Sequence, residues 1–179
     1  MAKIISIDAE TDGFYGHAFA IGAVVMSDGY KVAQFQGRCP DNIVSNQWVK
    51  DNVLPALQEM DITHSTPEIL EEAFWQFWLL YSDDYDPIAH CASPVETGLF
   101  RRCVERDLEN RMFLGPFPVM HDVGTLLMLQ GHPGDQVDAY NEKYLLNVPF
   151  EGSTHHPLYD AMAAAVAWEH ACKKLQGNI

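Results

Sequence analysis

Two acids separated by a single residue stand near the start of this chain: Asp8 and Glu10, in the run Ile4-Ile5-Ser6-Ile7-Asp8-Ala9-Glu10-Thr11-Asp12-Gly13. The stretch from Lys3 to Ala9 is apolar and β-branched, which reads as a strand. Side chains two apart on a strand share a face, so both carboxylates project from one side of the strand end. Such a pair repels itself and loses solvation when partly buried. A divalent cation relieves both costs, and hard oxygen ligands suit Mg²⁺ or Mn²⁺. Taken alone, so short a pattern is most often a solvated pair at a strand end. Thr11 and Gly13 add a turn that lets the backbone approach a ligand.

The far end of the chain supplies a partner. His155-His156-Pro157-Leu158-Tyr159-Asp160 reads as a loop entering a helix that runs from about Pro157 to Leu175. Pro157 suits a first turn, and the alanine-rich body is a strong helix former. Asp160 then lies in the first or second turn, where it can face the sheet beside Asp8. His155 precedes the helix within reach of the same spot, and a histidine there can take a proton from an attacking water. The plainer reading makes Asp160 a complement to the helix dipole and leaves both histidines on the surface. Both ends together, in one chain of 179 residues, favour a site.

Asp8-Ala9-Glu10-Thr11-Asp12-Gly13 and His155-x4-Asp160 resemble the first and third motifs of the DEDDh 3′–5′ exonucleases, a superfamily with a ribonuclease H-like fold. In that family the second motif is an acid after a strand, at the start of a helix. Pro87-Ile88-Ala89-His90-Cys91-Ala92-Ser93-Pro94-Val95-Glu96-Thr97-Gly98-Leu99-Phe100 has that shape. Ser93 would cap the helix, Pro94 would be its first residue, and Glu96 takes the acidic position. The family has aspartate there. Glutamate is one methylene longer and needs a shifted backbone or rotamer to reach a metal. Asp83, Asp84 and Asp86 are rival acids, but they fall before the strand.

The resemblance implies a catalytic set of Asp8, Glu10, Glu96, Asp160 and His155, with the four acids holding two divalent ions, Mg²⁺ or Mn²⁺. The family spacing to Asp160 selects His155 over His156 as the base. It implies a 3′–5′ exonuclease that hydrolyses phosphodiester bonds of single-stranded nucleic acid, RNA or DNA, and releases nucleoside 5′-monophosphates. The motifs span nearly the whole chain, so residues 1–179 are expected to form a single exonuclease domain. The short chain and the run Val119-Met120-His121-Asp122-Val123 are similar to a compact exoribonuclease-like branch of the superfamily. Many members are dimers, so the resemblance also suggests a homodimer.

Phe14 follows the Gly13 turn and can lie beside a nucleotide held over the acids. A base stacked on such a ring gains about 1–3 kcal/mol. The family often has an apolar residue at this place, so Thr11, Gly13 and Phe14 are the expected substrate contacts. Tyr15 is the alternative stacker, and a surface-anchoring aromatic is the plainer reading.

Charge limits the substrate. A net charge of −14 is wrong for a protein that grips long nucleic acid by counterion release. It fits short oligonucleotides or 3′ ends engaged near the site. Arg101, Arg102 and Arg106 form a basic cluster that either guides a strand or is a solvated helix face. The acidity also suits a metal-dependent hydrolase of small phosphorylated molecules, and Glu96 in place of aspartate suits a catalytically weak nucleic-acid-binding relative. Cys39, Cys91, Cys103 and Cys172 lack metal-ligand spacing and read as reduced thiols. No signal-peptide pattern or membrane-length apolar run is visible, which points to a cytoplasmic protein without a membrane partner.

The elements that must position these residues read as an α/β, ribonuclease H-like mixed β-sheet of about five strands flanked by helices, a topology taken from the resemblance. Strands are expected near Lys3–Ala9, Ala18–Met26 and Lys31–Gly37, with a hairpin turn at Ser27-Asp28-Gly29. A fourth lies near Pro87–Ala92 and a fifth near Val119–His121. Helices are expected over Asn46–Leu57, Thr66–Tyr81 and Pro94–Asn110, and one starts at Asp122. Phe74, Trp75, Phe77 and Trp78 read as core. Gly131 to Thr154 is rich in turn residues and is expected to shape the rim of the site.

Overall fold

The computed structural model describes residues 3–116 and 120–177. Five strands, β1 (Lys3–Thr11), β2 (Ala18–Ser27), β3 (Tyr30–Arg38), β4 (Asp86–Ala89) and β5 (His121–Asp122), make one mixed sheet. Their order across it is β3-β2-β1-β4-β5. The first three run antiparallel, and β4 pairs parallel with both β1 and β5. Asp28 and Gly29 both have positive φ at the β2–β3 turn, as a tight hairpin of matching twist requires. Val119, expected to open the fifth strand, lies outside the described residues.

Alternation along β1 divides the core. Ile5, Ile7 and Ala9 pack toward α1 (Gln47–Asn52), α2 (Pro67–Leu79) and α3 (Val95–Glu105). Ile4 packs on the other face, under α5 (Val123–Leu129), α6 (Val137–Lys143) and α7 (Pro157–Leu175). A short α4 (Leu108–Arg111) follows α3. By the same alternation Asp8 and Glu10 face the α7 side. Phe74, Trp75 and Trp78 are buried as expected, with Thr66 capping α2.

Gly22 is what lets α7 come so close. It lies opposite Asp8 in the ladder, and a Cβ on it would stand 2.3 Å from the Leu158 backbone nitrogen. With no side chain there, the first turn of α7 rests directly on the sheet.

Several boundaries differ from expectation. The helix expected over Asn46–Leu57 is α1, capped by Asn46, followed by a separate 3-10 turn at Leu54–Leu57. Pro55 has no N–H to donate, which breaks the α-helical ladder there. The expected Ser93 cap is not formed, and α3 begins at Val95. Nor does α3 reach Asn110: it stops at Glu105, and Arg111 turns back to donate to the Cys103 carbonyl at 3.1 Å. The turn-rich stretch 131–154 contains α6, which draws its stability from packing Val137 and Tyr140 under α7. The basic cluster is not a solvated face either. Glu71, fully buried, is held by Arg102 Nε at 2.8 Å and by Arg106, and Arg101 alone points out. All four cysteines are free thiols. Among the described residues, no helix is long and apolar enough to cross a membrane.

Candidate active site

Asp8 and Glu10 leave the end of β1, and Asp160 descends from the first turn of α7. Carboxylate oxygens of the three lie within 4.8 Å of one another. An irregularity in the ladder between Glu10 and Thr11 ends regular pairing at that point. The acids floor an open cleft of about 560 Å³.

His155 leans over the same floor. Its backbone is left-handed, with φ at 72°, a conformation uncommon for a residue with a side chain. Two contacts hold it there. The His155 N–H donates to Asp160 Oδ2 at 2.7 Å, and the ring Nδ1 stands 3.4 Å from Glu10 Oε1. His156 takes another direction. Its ring packs on Phe150 at 5.0 Å, burial lowers its proton affinity, and it does not line the cleft.

Glu96 also lines the cleft, from the first turn of α3, and is 3% exposed. Its Oε1 accepts the Ala9 N–H at 3.1 Å, between the two β1 acids. It is not a member of the close group of three. The rival acids sit elsewhere. Asp86 pairs with Ile4, roughly 13 Å of strand away from Asp8. Asp84 is 4.0 Å from Lys3, and neither Asp83, Asp84 nor Asp86 lines the cleft.

The charges are poorly compensated. Burial pushes Asp8 well above the usual carboxylate range, and the charges of Asp160, Glu10 and Glu96 add to it. Burial, then the neighbouring Glu10, raises Asp160 to about 7. Burial raises Glu96 to about 8 in spite of the Ala9 hydrogen bond. His155 is raised by its contact with Glu10. Among the described residues, no lysine or arginine lines this cleft. An all-carboxylate donor set, crowded and short of positive charge, fits a hard divalent cation.

The β1 turn is pinned to α1. Asp12 accepts the Ser45 N–H at 3.0 Å and the Asn46 N–H at 2.7 Å. Partial burial opposes its charge, but a hydrogen bond from the Ser45 hydroxyl together with these two prevails and holds its carboxyl below the usual range. Thr11 is buried beneath the turn, and Gly13 takes φ of 77°. Phe14 is thereby left 73% exposed at the lip of the cleft. On its other side is an apolar hollow of about 590 Å³, lined by Trp48, Val49, Val53, Val95 and His155. Trp48 is 59% exposed and meets the His155 ring edge-to-face at 5.9 Å.

Trp48 escaped sequence reasoning because a lone tryptophan in a short helix carries no spacing signal. Asp135 and Asp138 escaped with α6, and they form the opposite wall. Asp138 is fixed by the Thr154 hydroxyl at 2.9 Å and the Tyr159 hydroxyl at 3.2 Å.

A structure of Exonuclease X in complex with 5′ overhanging duplex DNA has the same fold, with a TM-score of 0.57. The two share 22% sequence identity over 97% of this chain and 93% of that one. The architecture is thus the ribonuclease H-like α/β fold, the five-stranded mixed sheet flanked by helices that was expected. No family model matches the chain, and no curated protein matches it in sequence.

Proposed function

We propose that this chain is a divalent-metal-dependent 3′–5′ exonuclease that acts on single-stranded ends of RNA or DNA and releases nucleoside 5′-monophosphates. The observation that carries this is the convergence of Asp8, Glu10 and Asp160 in an open cleft under His155. The nucleic acid bound by Exonuclease X, on the same fold, supports a nucleic-acid end as the substrate.

Asp8, Glu10 and Asp160 would hold Mg²⁺ or Mn²⁺, with Glu96 as the fourth acid. Such ions, when bound, supply the positive charge that activates water and stabilises a phosphorus centre under attack. His155 acts as base. Its Nδ1 faces Glu10, which leaves Nε2 to accept the proton of the attacking water. Water adds at phosphorus, the bond to the 3′ oxygen of the preceding nucleotide breaks, that oxygen takes up a proton to become the new 3′-hydroxyl, and the terminal nucleotide leaves with its 5′ phosphate. Phe14 and Trp48 border the hollow beside these groups and offer the terminal base two ring faces. The acidic wall of Asp135 and Asp138 repels phosphates, so a long polyanion is disfavoured on that side.

End-labelled single-stranded RNA and DNA, incubated with Mg²⁺ or Mn²⁺, test this reading. A ladder shortening from the 3′ end, abolished by EDTA, is expected. An intact substrate under all conditions overturns it. One observation favours a catalytically weak binding relative: Glu96 is buried and already engaged by the Ala9 N–H. Tight binding without cleavage would select that reading.

A further inference from the structure

Three surfaces adjoin the cleft, and they differ in charge. The α6 wall carries Asp135 and Asp138, and the Trp48 hollow is apolar. The third is a shallow groove of about 240 Å³ over the first turns of α3, lined by Phe14, Tyr15, Thr97, Gly98, Arg101 and Arg102. It shares Phe14 and Pro94 with the cleft, so the two surfaces are continuous. Gly98 leaves the helix surface bare, and Tyr15 stands beside it 84% exposed.

Cationic side chains line this groove. Glu71 has one negative charge and is met by two guanidinium groups, Arg102 and Arg106. Arg101 adds a third, on the outside. Its pair with Glu105 is 3.8 Å long with both partners exposed, so it competes weakly with a phosphate. Arg38 and Arg111 are committed elsewhere, to the Met60 carbonyl and to Glu72. Among the described residues, neither the cleft nor the apolar hollow is lined by any lysine or arginine.

We propose that the groove is a second nucleotide subsite, through which the strand reaches the cleft across α3 with a base on Tyr15 and a phosphate on Arg101. The proposal rests on the exonuclease reading and adds a direction and a length to it. A single-stranded end longer than one nucleotide is the preferred substrate, and one cationic contact replaces the long basic track that the chain lacks.

Two substrates separate this subsite from the chemistry. The p-nitrophenyl ester of thymidine 5′-monophosphate fills only the cleft, whereas oligothymidylates and oligouridylates from dimer to octamer extend over the groove. Arg101→Ala, Arg101→Glu and Tyr15→Ala should each raise KM for the octamer about 5- to 100-fold, with ester turnover within about twofold of the parent. Arg101→Ala should also reduce the salt dependence of octamer binding by about one counterion. Unchanged octamer KM, or an equal loss on the ester, overturns the subsite. Binding of fluorescein-labelled octathymidylate and octauridylate to the Asp8→Asn protein, followed by anisotropy, decides the matter without turnover. If the parent cleaves nothing yet Arg101→Glu weakens that binding, the subsite stands and the exonuclease reading falls. If neither octamer binds, the subsite falls.

Discussion

Asp8→Ala and Asp160→Ala each remove one acid from a crowd of like charges. Both should abolish turnover, because the cation site loses a shared ligand. Both should also raise the melting temperature measured in EDTA, since a strained carboxylate has gone. Near-normal turnover in either variant would remove the site. His155→Ala should lower the rate by roughly 10²–10⁴, with metal binding by calorimetry preserved. If His156→Ala is the more damaging, the base has been misplaced, although its ring lies against Phe150. Glu96→Gln keeps an oxygen for the Ala9 N–H and removes only charge. It should cut activity sharply and raise the metal concentration needed, whereas Glu96→Asp should retain partial activity. Parent-like kinetics in Glu96→Gln would exclude it as a ligand.

Gly22 sets the position of an entire element. A methyl group there meets the backbone of Pro157 and Leu158, which has no side-chain freedom with which to yield. Gly22→Ala should therefore lift the start of α7, costing about 1–3 kcal/mol of stability by overpacking and a larger share of activity by moving Asp160 from Asp8. A melt in denaturant paired with a turnover assay checks both. Elements whose patterns are local were legible in the sequence. The β1 run, the Ser27–Gly29 turn and the alanine-rich α7 each declare themselves within ten to twenty residues, and α7 falls where it was expected. The helix α6 did not, because seven residues among turn formers gain their helicity from Tyr140 and Val137 meeting α7. Trp48 and the Asp138 wall were hidden for the same reason: they belong to the site by tertiary placement, not by spacing.

At the scale of the molecule, the buried acids couple folding to pH. Glu96 at about 8, Asp160 at about 7 and the raised Asp8 bind protons more tightly folded than unfolded. Their contribution is full below the ordinary carboxylate value of roughly 4 and is lost as pH rises toward 8. Glu72 works the other way. Arg111 lowers its carboxyl, so that contribution is lost in stronger acid. In EDTA the melting temperature should be higher at about pH 5 than at about pH 8, and Mg²⁺ or Mn²⁺ should narrow the difference. An equal melting temperature at both values would show that the acids are solvated. The distance along the chain between Asp8 and Asp160 has a consequence in time. β1 and α7 are separated by nearly the whole chain, and a ribosome adding about 5–20 residues per second needs roughly 7–30 s to travel from one to the other. Through that interval the nascent polypeptide displays Asp8 and Glu10 without Asp160, so the group of three carboxylates closes only once the last helix has been made.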